Sequence, residues 1–409
     1  MTFLDVLLVY VAFYPVVTAA AWIVGGIAFR VLHERATPVA PPGGWPGVTV
    51  LVPAFNESRV IAQCVEALRL VDYPRLEILV LDDGSTDGTA AAALAAAGDD
   101  PRVDVVADPV NTGKADRLNA GMRRARHDLV LVTDADTHLH PTAVRYLVAR
   151  IGRSPRYAAV AGSPRVTNRE RLITAMQVLE SAASIGLMRR THALAGRVGV
   201  VAGVLGLFRR DAVLAVGGYD PRMATEDIDL TWRLLEAGYL TGYEPRALVG
   251  MEVPQTLRTI WRQRTRWARG QGEVLRTHAR TLLRSRNAPL WPVALEALLS
   301  YLWVLAMVCV GAWTLFQWLV FDEETKFRWM IAWGVGIAVV AVLQITVAVV
   351  VERRLDPRLG YACLLLPLYP FAYWFINAAA AFVSETSALV RGPRRKRVVW
   401  DLERAAPPP

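Results

Sequence analysis

Cysteine and histidine are both scarce: the 409-residue chain has three cysteines and six histidines. The cysteines, Cys64, Cys309 and Cys363, lie far apart, so neither a disulfide framework nor a cysteine-based metal site can be built from them. His138 and His140 stand two residues apart beside a proline, which is typical of a loop rather than of a metal site. These scarcities exclude a disulfide-stapled scaffold.

The sequence also has no internal repeats and no motif of single-strand nucleic-acid binding, in which aromatic and basic residues alternate along a groove. Its formal charge is nonetheless +9, from 46 basic and 37 acidic residues. Arginines crowd the ends of hydrophobic stretches, where basic side chains meet anionic lipid headgroups. We therefore expect membrane lipids, and no nucleic acid, as the partners of this charge.

Hydrophobic residues make up 54% of the chain, and the mean hydropathy is +0.29. Four apolar stretches, at residues 4–29, 298–320, 329–351 and 361–382, each have at least about 20 residues, enough to cross a bilayer. A mostly polar segment of about 250 residues, the size of one domain with short additions, separates the first two. The composition predicts an integral membrane protein.

The first apolar stretch is interpreted as a retained anchor rather than a cleaved signal peptide. No basic segment precedes it, and apolar sequence continues past the alanines at 19–21. Arg30, His33 and Arg35 follow it directly. By the positive-inside rule, these residues place the polar segment in the cytoplasm, at the plasma (bacterial inner) membrane.

Short apolar runs alternate with helical patterns through the first part of the polar segment. The runs at 48–53, 76–81, 103–107 and 129–133 are typical of strands buried on both faces, and helical patterns separate them. This alternation predicts a parallel sheet with helices on both faces. Ligands of such sheets bind beyond the carboxyl ends of the strands, where the polar clusters of this sequence fall.

Asp134 and Asp136 follow the fourth predicted strand, with one residue between them. Two carboxylates at a strand end can coordinate a hard divalent cation, Mg²⁺ or Mn²⁺, that bridges a diphosphate. Alone, such a pair is a weak indication, since acidic pairs are common on surface turns. Five further polar clusters accompany it, at residues 56–57, 82–87, 111–114, 225–227 and 263–267.

In this order and spacing, over residues 48–273, the clusters resemble the motif set of processive, membrane-bound family 2 glycosyltransferases. That group includes the cellulose, hyaluronan, chitin and poly-N-acetylglucosamine synthases. The resemblance implies a hexosyltransferase with an α/β GT-A (Rossmann-like) cytoplasmic domain inserted between transmembrane α-helices. It implies a transmembrane anchor at 1–35, a linker at 36–47 and a catalytic domain at 48–254, which includes an interface helix at 171–194. An amphipathic interface helix at 255–290, which carries a Q-x-x-R-W motif, would follow. Transmembrane or interface helices at 291–390 and a basic cytoplasmic tail at 391–409 would complete the chain.

The resemblance also assigns a donor site and a metal site. Asp83 would accept a hydrogen bond from the uracil ring of a uridine nucleotide, for which an acceptor-only carboxylate is suited. Lys114 would be a fixed positive charge near the nucleotide, with a lysine on a helix surface as the alternative, and Arg266 would bind the diphosphate. The full set implied is Asn56, Glu57, Asp83, Lys114, Asp134 and Arg266 for the donor, with Asp134 and Asp136 for the metal.

Asp227 is implied as the general base, which removes the proton of the acceptor hydroxyl on the face opposite the leaving group. Gln263, Trp267 and Glu226 are implied for acceptor binding, and an indole face packs well against the C–H face of a pyranose. Asp229, by contrast, fits the N-terminus of a helix, where negative charge is favoured.

Residues 254–257 and 263–270 look most like the poly-β-1,6-N-acetylglucosamine synthases. This likeness implies UDP-N-acetylglucosamine as donor, a growing polysaccharide as acceptor, export through the enzyme's own membrane helices and a small membrane accessory subunit. Hyaluronan or chitin-oligosaccharide synthesis and non-processive transfer to a lipid carrier are the alternatives. A transporter or receptor with a degenerate transferase domain is disfavoured, because Asp134, Asp136, Asp227 and Arg266 are all present.

Four membrane spans would leave the basic run at 394–397 outside the cell, against the positive-inside rule. We therefore expect the last apolar stretch, interrupted by Pro367 and Pro370, to be re-entrant or to lie partly in the interface. Residues 171–194 and 255–281 have helical patterns that fit the cytoplasmic membrane surface. For 171–194, packing on the sheet is an equal alternative.

Overall fold

The computed structural model describes residues 3–35, 37–321, 324–366 and 368–393. Its α-helices are α1 (Phe3–His33), α2 (Ile61–Arg69), α3 (Thr89–Ala97), α4 (Lys114–Arg124), α5 (Ala143–Ile151), α6 (Leu172–Glu180), α7 (Arg189–Leu194), α8 (Arg210–Ala215), α9 (Glu226–Glu236), α10 (Leu257–Leu282), α11 (Trp291–Phe321), α12 (Glu324–Glu352), α13 (Tyr369–Ala380) and α14 (Thr386–Arg391). Its strands are β1 (Val48–Ala54), β2 (Leu76–Asp83), β3 (Val103–Asp108), β4 (Leu129–Val132), β5 (Thr137–Leu139), β6 (Tyr157–Val166), β7 (Gly206–Arg209) and β8 (Leu240–Met251).

The eight strands form one mixed sheet in the order β3-β2-β1-β4-β7-β6-β8-β5. β3, β2, β1 and β4 pair in parallel, as their buried apolar runs predict. The parallel sheet predicted for these four strands is therefore present. Beyond β4, where the sequence predicted no strands, the sheet is mixed: β7 runs antiparallel to both β4 and β6, and β5 runs antiparallel to β8. The chain leaves β6 at the carboxyl edge of the sheet and re-enters the sheet from that same edge. β7 therefore runs in the direction opposite to β6 and β4.

Both faces of the sheet are covered by helices. Side chains of β1 alternate between them: Val50 and Val52 pack with α2, α3 and α5, whereas Leu51 packs with α4 and α9. All seven residues of β1 are buried, as expected for a strand with helices on both sides. The Rossmann-like layering predicted from the sequence is therefore confirmed.

Three helices in the described part of the chain are long and apolar enough to cross a membrane: Phe3–His33, Ala288–Phe321 and Met330–Glu352. They correspond to the first three predicted stretches. The fourth stretch does not form one long helix, because a 3₁₀ helix at Pro357–Leu365 precedes α13 and a π-helix at Ala381–Glu385 follows it. Proline at the start of α13 is tolerated there but cannot continue a preceding helix. The basic run at 394–397 lies outside the described residues.

The predicted interface helix at 171–194 consists of α6, a π-helix at Ser181–Met188 and α7. It packs against the sheet and, on its other side, against α1 and α12. Gly25 and Gly26 of α1 allow this approach, because a Cβ atom on either would come within 2.5 Å of the side chain of Thr191 or Leu187. This segment therefore joins the α/β domain to the apolar helices.

Ion pairs fasten the C-terminal end of α12 to the domain. Glu352, which is 1% exposed, pairs with Arg165 of β6 and with Arg190 of α7. Asp356 pairs with Arg169, with 2.5 Å between carboxylate and guanidinium. Farther along, α14 packs on α10. The described part of the chain therefore ends beside the α/β domain.

Candidate active site

The predicted site residues meet at the carboxyl edge of the parallel strands. Lys114 Nζ lies 2.5 Å from Asp134 Oδ1 and 3.9 Å from Glu226 Oε1. Asp227 follows Glu226 in the first turn of α9, and Arg266 of α10 is close enough to act electrostatically on Glu226. The structure thus gathers these five residues from four separate segments.

The turn after β1 is held by Asn56, which with φ of 54° is the one non-glycine residue of the described chain in the left-handed region. Asparagine tolerates this conformation better than most residues. Its N–H donates to Ser85 Oγ at 2.9 Å, and its Oδ1 accepts from the Thr86 N–H at 3.0 Å. The Glu57 N–H donates to Thr89 Oγ1 at 2.8 Å. These bonds join the turns after β1 and β2, and contact of Asn56 and Glu57 with a nucleoside stays a prediction.

Asp83 is fully buried at the end of β2. Its carboxylate accepts hydrogen bonds from the Thr112 N–H at 2.9 Å, Thr112 Oγ1 at 3.0 Å and the Gly113 N–H at 2.7 Å, and Arg117 Nε lies 3.0 Å away. Asp83 therefore holds the loop before α4. Its predicted bond to a uracil ring stays a prediction.

Lys114 is the positive centre of the site, and with 24% of its side chain exposed it is not a surface lysine. Burial alone would lower the pKa of its ammonium group, but Asp134, Glu226 and Asp227 outweigh burial and raise the pKa. Lys114 is therefore charged at neutral pH. Gly203, in the loop before β7, lies against it: a Cβ atom there would come within 3.0 Å of Lys114 Nζ.

The turn between β4 and β5 carries Asp134 and Asp136, and contacts to the Asp134 carbonyl oxygen hold it in place. Thr137 Oγ1 donates to the Asp134 carbonyl oxygen at 2.7 Å, and Cys64 Sγ lies 3.7 Å from the same oxygen. Burial raises the pKa of the Cys64 thiol to about 12, so the sulfur keeps its proton and can donate. The turn is thus supported from α2 and from β5.

The two carboxylates of this turn are the candidate ligands of a metal ion. Among the described residues, no three His, Cys, Asp or Glu side chains lie together as a complete metal site. Asp134 and Asp136 could supply two carboxylate ligands to a hard cation, and metal binding by them stays a prediction. His138 lies in β5, so its interpretation as a loop residue is wrong; its Nε2 lies 3.3 Å from Gln63 Oε1. His140 follows that strand, and its Nδ1 lies 3.0 Å from Thr142 Oγ1.

The first turn of α9 places Glu226 and Asp227 beside Lys114. Burial raises the pKa of Glu226; Lys114 and Arg266 oppose this rise, and the charge of Asp227 adds to it. Asp227 is only partly buried, and its Oδ1 accepts a hydrogen bond from the Ile228 N–H at 2.9 Å. The two adjacent acids therefore differ: Glu226 retains a proton more readily than an exposed glutamate, and Asp227 is open to a ligand.

Asp229, by contrast, supports the fold. It accepts from Arg233 at 2.7 Å and from His278 Nε2 at 3.1 Å, while His278 Nδ1 lies 2.8 Å from Glu236 Oε1. Burial alone would lower the pKa of His278, but these two carboxylates raise it to about 9. His278 is therefore a cation at neutral pH, and it fastens α10 to α9.

Gln263, Arg266 and Trp267 lie on α10. Trp267 is 40% exposed, Arg266 is exposed and Gln263 is half-buried. The three positions are spaced i, i+3 and i+4, so they share one face of the helix. Diphosphate binding by Arg266 and acceptor binding by Gln263 and Trp267 stay predictions.

Two residues of α10 that the sequence did not single out set its distance from the site. Glu273, which is fully buried, accepts from the Ala224 N–H at 2.9 Å. Gly270 packs so closely on Thr225 that any side chain there would overlap the threonine. The sequence signal for this contact is a glycine in the interior of a long helix. Such a glycine costs about 1 kcal/mol relative to alanine and so indicates that another segment packs closely on the helix there.

Asn119 of α4 holds the loop before α9 through two hydrogen bonds to Tyr219. Its Oδ1 accepts from the Tyr219 N–H at 2.8 Å, and its Nδ2 donates to the Tyr219 carbonyl oxygen at 2.8 Å. Gly218 has a φ of +73°, and a Cβ atom on it would overlap the Asn119 amide. The glycine pair at 217–218 is therefore a tight connection that leads the chain toward Glu226.

Comparisons with known proteins agree with this geometry. Residues 46–270 match the family described as glycosyltransferase like family 2. A poly-β-1,6-N-acetyl-D-glucosamine synthase of Staphylococcus aureus (strain COL) is 33% identical over 390 residues, covering 93% of this chain and 94% of that protein. The synthase of the same name from Staphylococcus epidermidis is 31% identical over 392 residues, with the same two coverages of 93% and 94%.

Among solved structures, a mannosyltransferase from Pyrobaculum calidifontis in complex with GDP-Man and Mn²⁺ has the same fold. It superposes with a TM-score of 0.60 at 20% sequence identity, covering 93% of this chain and 98% of that chain. The fold and the acidic turn at the sheet edge define a glycosyltransferase of the GT-A class. Within that class, this chain belongs to the family 2 glycosyltransferases, and its relatives are polysaccharide synthases. The family and the fold predicted from the motif set are therefore confirmed.

Proposed function

We propose that this protein is an inverting, processive synthase that builds β-1,6-linked poly-N-acetylglucosamine from UDP-N-acetylglucosamine. The observation that carries the proposal is the cluster of Lys114, Asp134 and Glu226, with Asp227 and Arg266 beside it. Acidic and basic side chains there converge where a metal-bound diphosphate and an acceptor hydroxyl have to meet. The printed names of the two staphylococcal relatives support the sugar and the linkage.

The diphosphate would lie between the Asp134–Asp136 turn and Arg266. Mg²⁺ or Mn²⁺ would be held by the two carboxylates and would offset the charge of the diphosphate; the Mn²⁺ in the archaeal mannosyltransferase supports this choice. Negative charge grows on the leaving UDP as the glycosidic bond breaks. Lys114 and Arg266 therefore stabilise the transition state more than the ground state.

Asp227 would accept the proton of the acceptor hydroxyl as that oxygen attacks C1 of the sugar. The new C–O bond forms while the bond between C1 and the diphosphate oxygen breaks, so the configuration at C1 inverts and UDP leaves. Glu226, whose carboxyl group lies beside Lys114, would contact the acceptor sugar.

The growing chain would pass Gln263 and Trp267 on α10 and leave between the apolar helices. Three helices of membrane-crossing length and the basic residues Arg30 and His33 in the last turn of α1 support a bacterial inner-membrane protein with its catalytic domain in the cytoplasm. Lipid headgroups and a small membrane accessory subunit are the further partners proposed.

The test uses the full-length protein in lipid nanodiscs with a panel of radiolabelled UDP-sugars. We expect incorporation from UDP-N-acetylglucosamine, and loss of at least about 10²-fold of this rate in Asp227→Asn, since a general base contributes 10²–10⁴-fold. UDP affinity of the variant should match the parent. Asp211→Asn, at an exposed acid in the first turn of α8, is the matched control. Transfer from a different sugar would contradict the donor, and near-parent elongation by Asp227→Asn would contradict the base.

A further inference from the structure

We propose that Glu180 and Arg264 are positioning residues for the indole of Trp267, and that the acceptor sugar docks on the indole face that Arg264 leaves open. The inference deepens the proposed function, because it rests on Trp267 being part of the acceptor site. Neither Glu180 nor Arg264 has a role in the site described above.

Arg264 lies nearly one turn before Trp267 on α10, a spacing that places the two side chains next to each other. Its guanidinium carbon lies 4.4 Å from the centre of the indole ring, within the range in which a cation is attracted to a ring face. Arg264 is 7% exposed, whereas Trp267 is 40% exposed. The guanidinium therefore covers one face of the ring, while the rest of the ring stays accessible.

Glu180 fixes the guanidinium. Its Oε2 lies 2.5 Å from an Nη atom of Arg264, so the buried positive charge is paired. Glu180 is the last residue of α6, directly before the π-helix at Ser181–Met188. π-helices are rare and are found frequently at functional sites, and Glu180 stands at the start of one.

The cluster also reaches the C-terminal part of the chain. Asn377 Nδ2 of α13 lies 3.4 Å from Glu180 Oε1. Side chains from α6, α10 and α13 therefore meet beside the ring. A tryptophan that has no such support keeps freedom about its side-chain torsions, and a sugar that binds it must overcome the entropy of ordering it. A ring that is already oriented lacks that cost, so the cluster should favour acceptor binding and leave donor binding unchanged.

A purely structural ion pair between α6 and α10 is the competing explanation, and acceptor kinetics distinguish the two. The full-length enzyme in nanodiscs would receive UDP-N-acetylglucosamine and a defined β-1,6-linked N-acetylglucosamine oligosaccharide. For Glu180→Gln and Arg264→Lys we expect the KM for the oligosaccharide to rise roughly tenfold, the equivalent of one lost ring contact, with kcat and UDP affinity unchanged. Arg262→Lys, at an exposed arginine of α10, is the matched control and should keep the parent KM.

A double-mutant cycle then identifies the ring as the residue through which the cluster acts. In a Trp267→Ala background, Glu180→Gln should change the acceptor KM by less than about twofold, because coupled residues are not additive. Full additivity, weaker UDP binding, or a lower melting temperature with an unchanged KM would each overturn the proposal. A parent enzyme that used another UDP-sugar would contradict the proposed donor, and the same KM comparison with that sugar and its acceptor would still test the cluster.

Discussion

Gly270 lies where α10 crosses the loop before α9, and its replacement by alanine should disable transfer while the protein stays folded. A Cβ atom at this position overlaps the side chain of Thr225. Thr225 directly precedes Glu226 and Asp227, and at 5% exposure it has no solvent space into which it can turn. The added methyl group must therefore move either the catalytic loop or the helix that carries Arg266.

Two effects on stability oppose each other. Alanine is favoured over glycine in a helix interior by about 1 kcal/mol, whereas an extra methyl group in a packed site costs about 1–3 kcal/mol. The net loss of stability is therefore at most about 2 kcal/mol. A displacement of the reacting groups by about 1 Å costs about 10²-fold in rate, so catalysis should suffer far more than folding.

The assay compares kcat, UDP affinity and melting temperature of Gly270→Ala with those of the parent, all in nanodiscs. We expect kcat to fall about 10²-fold; UDP affinity stays near the parent value where the loop moves and falls where the helix that carries Arg266 moves. Gly311→Ala in α11, where a Cβ atom meets nothing within 4 Å, is the control and should keep full activity. Adding Thr225→Ala to Gly270→Ala makes room for the methyl group and should restore part of the rate. A parent-like kcat in Gly270→Ala would refute the reasoning.

Two further predictions concern the metal and His278. Asp136→Ala should abolish transfer, and chelation of divalent cations should abolish transfer in the parent; turnover of the parent without metal would contradict the cation site. His278→Gln should lower the free energy of unfolding by at most about 3 kcal/mol, the equivalent of a pKa raised from 6.5 to about 9. Because the folded-state pKa is raised, this contribution is complete below pH 6.5 and is lost as the pH rises through about 9. Melting temperatures of parent and variant should therefore converge at high pH, and a difference independent of pH would contradict the cationic form.

The position of the polar clusters at one edge of the sheet could be predicted from the sequence because it depends on local patterns. β1, β2 and β4 are short apolar runs that end in polar residues, and the ends of parallel strands meet at one edge of a sheet. Lys114 and Asp134 were therefore expected at the same edge, but their contact could not be predicted, because β2 and β1 separate the two strands that precede them. The acidic start of α9 could likewise be interpreted as a helix N-terminus.

The rest depends on contacts between distant segments, which a single sequence does not encode locally. Nothing within β7 indicates that it runs antiparallel to β4. The pairing of Arg264 with Glu180 joins two helices that are far apart in the chain. The fourth apolar stretch has the composition of a membrane span, but its described residues form shorter helices of three different kinds, because helix length depends on packing as well as on hydropathy.

The central claim is best tested by the size and linkage of the product made by the purified full-length chain. Protein in nanodiscs would receive radiolabelled UDP-N-acetylglucosamine briefly, followed by an excess of unlabelled donor, and the products would be separated by size before and after digestion with a hydrolase specific for β-1,6-linked N-acetylglucosamine. We predict that label from the pulse moves into long chains during the chase and that the hydrolase degrades them. Products one sugar longer than their acceptor, or long chains that resist the hydrolase, would contradict processive synthesis of this polymer.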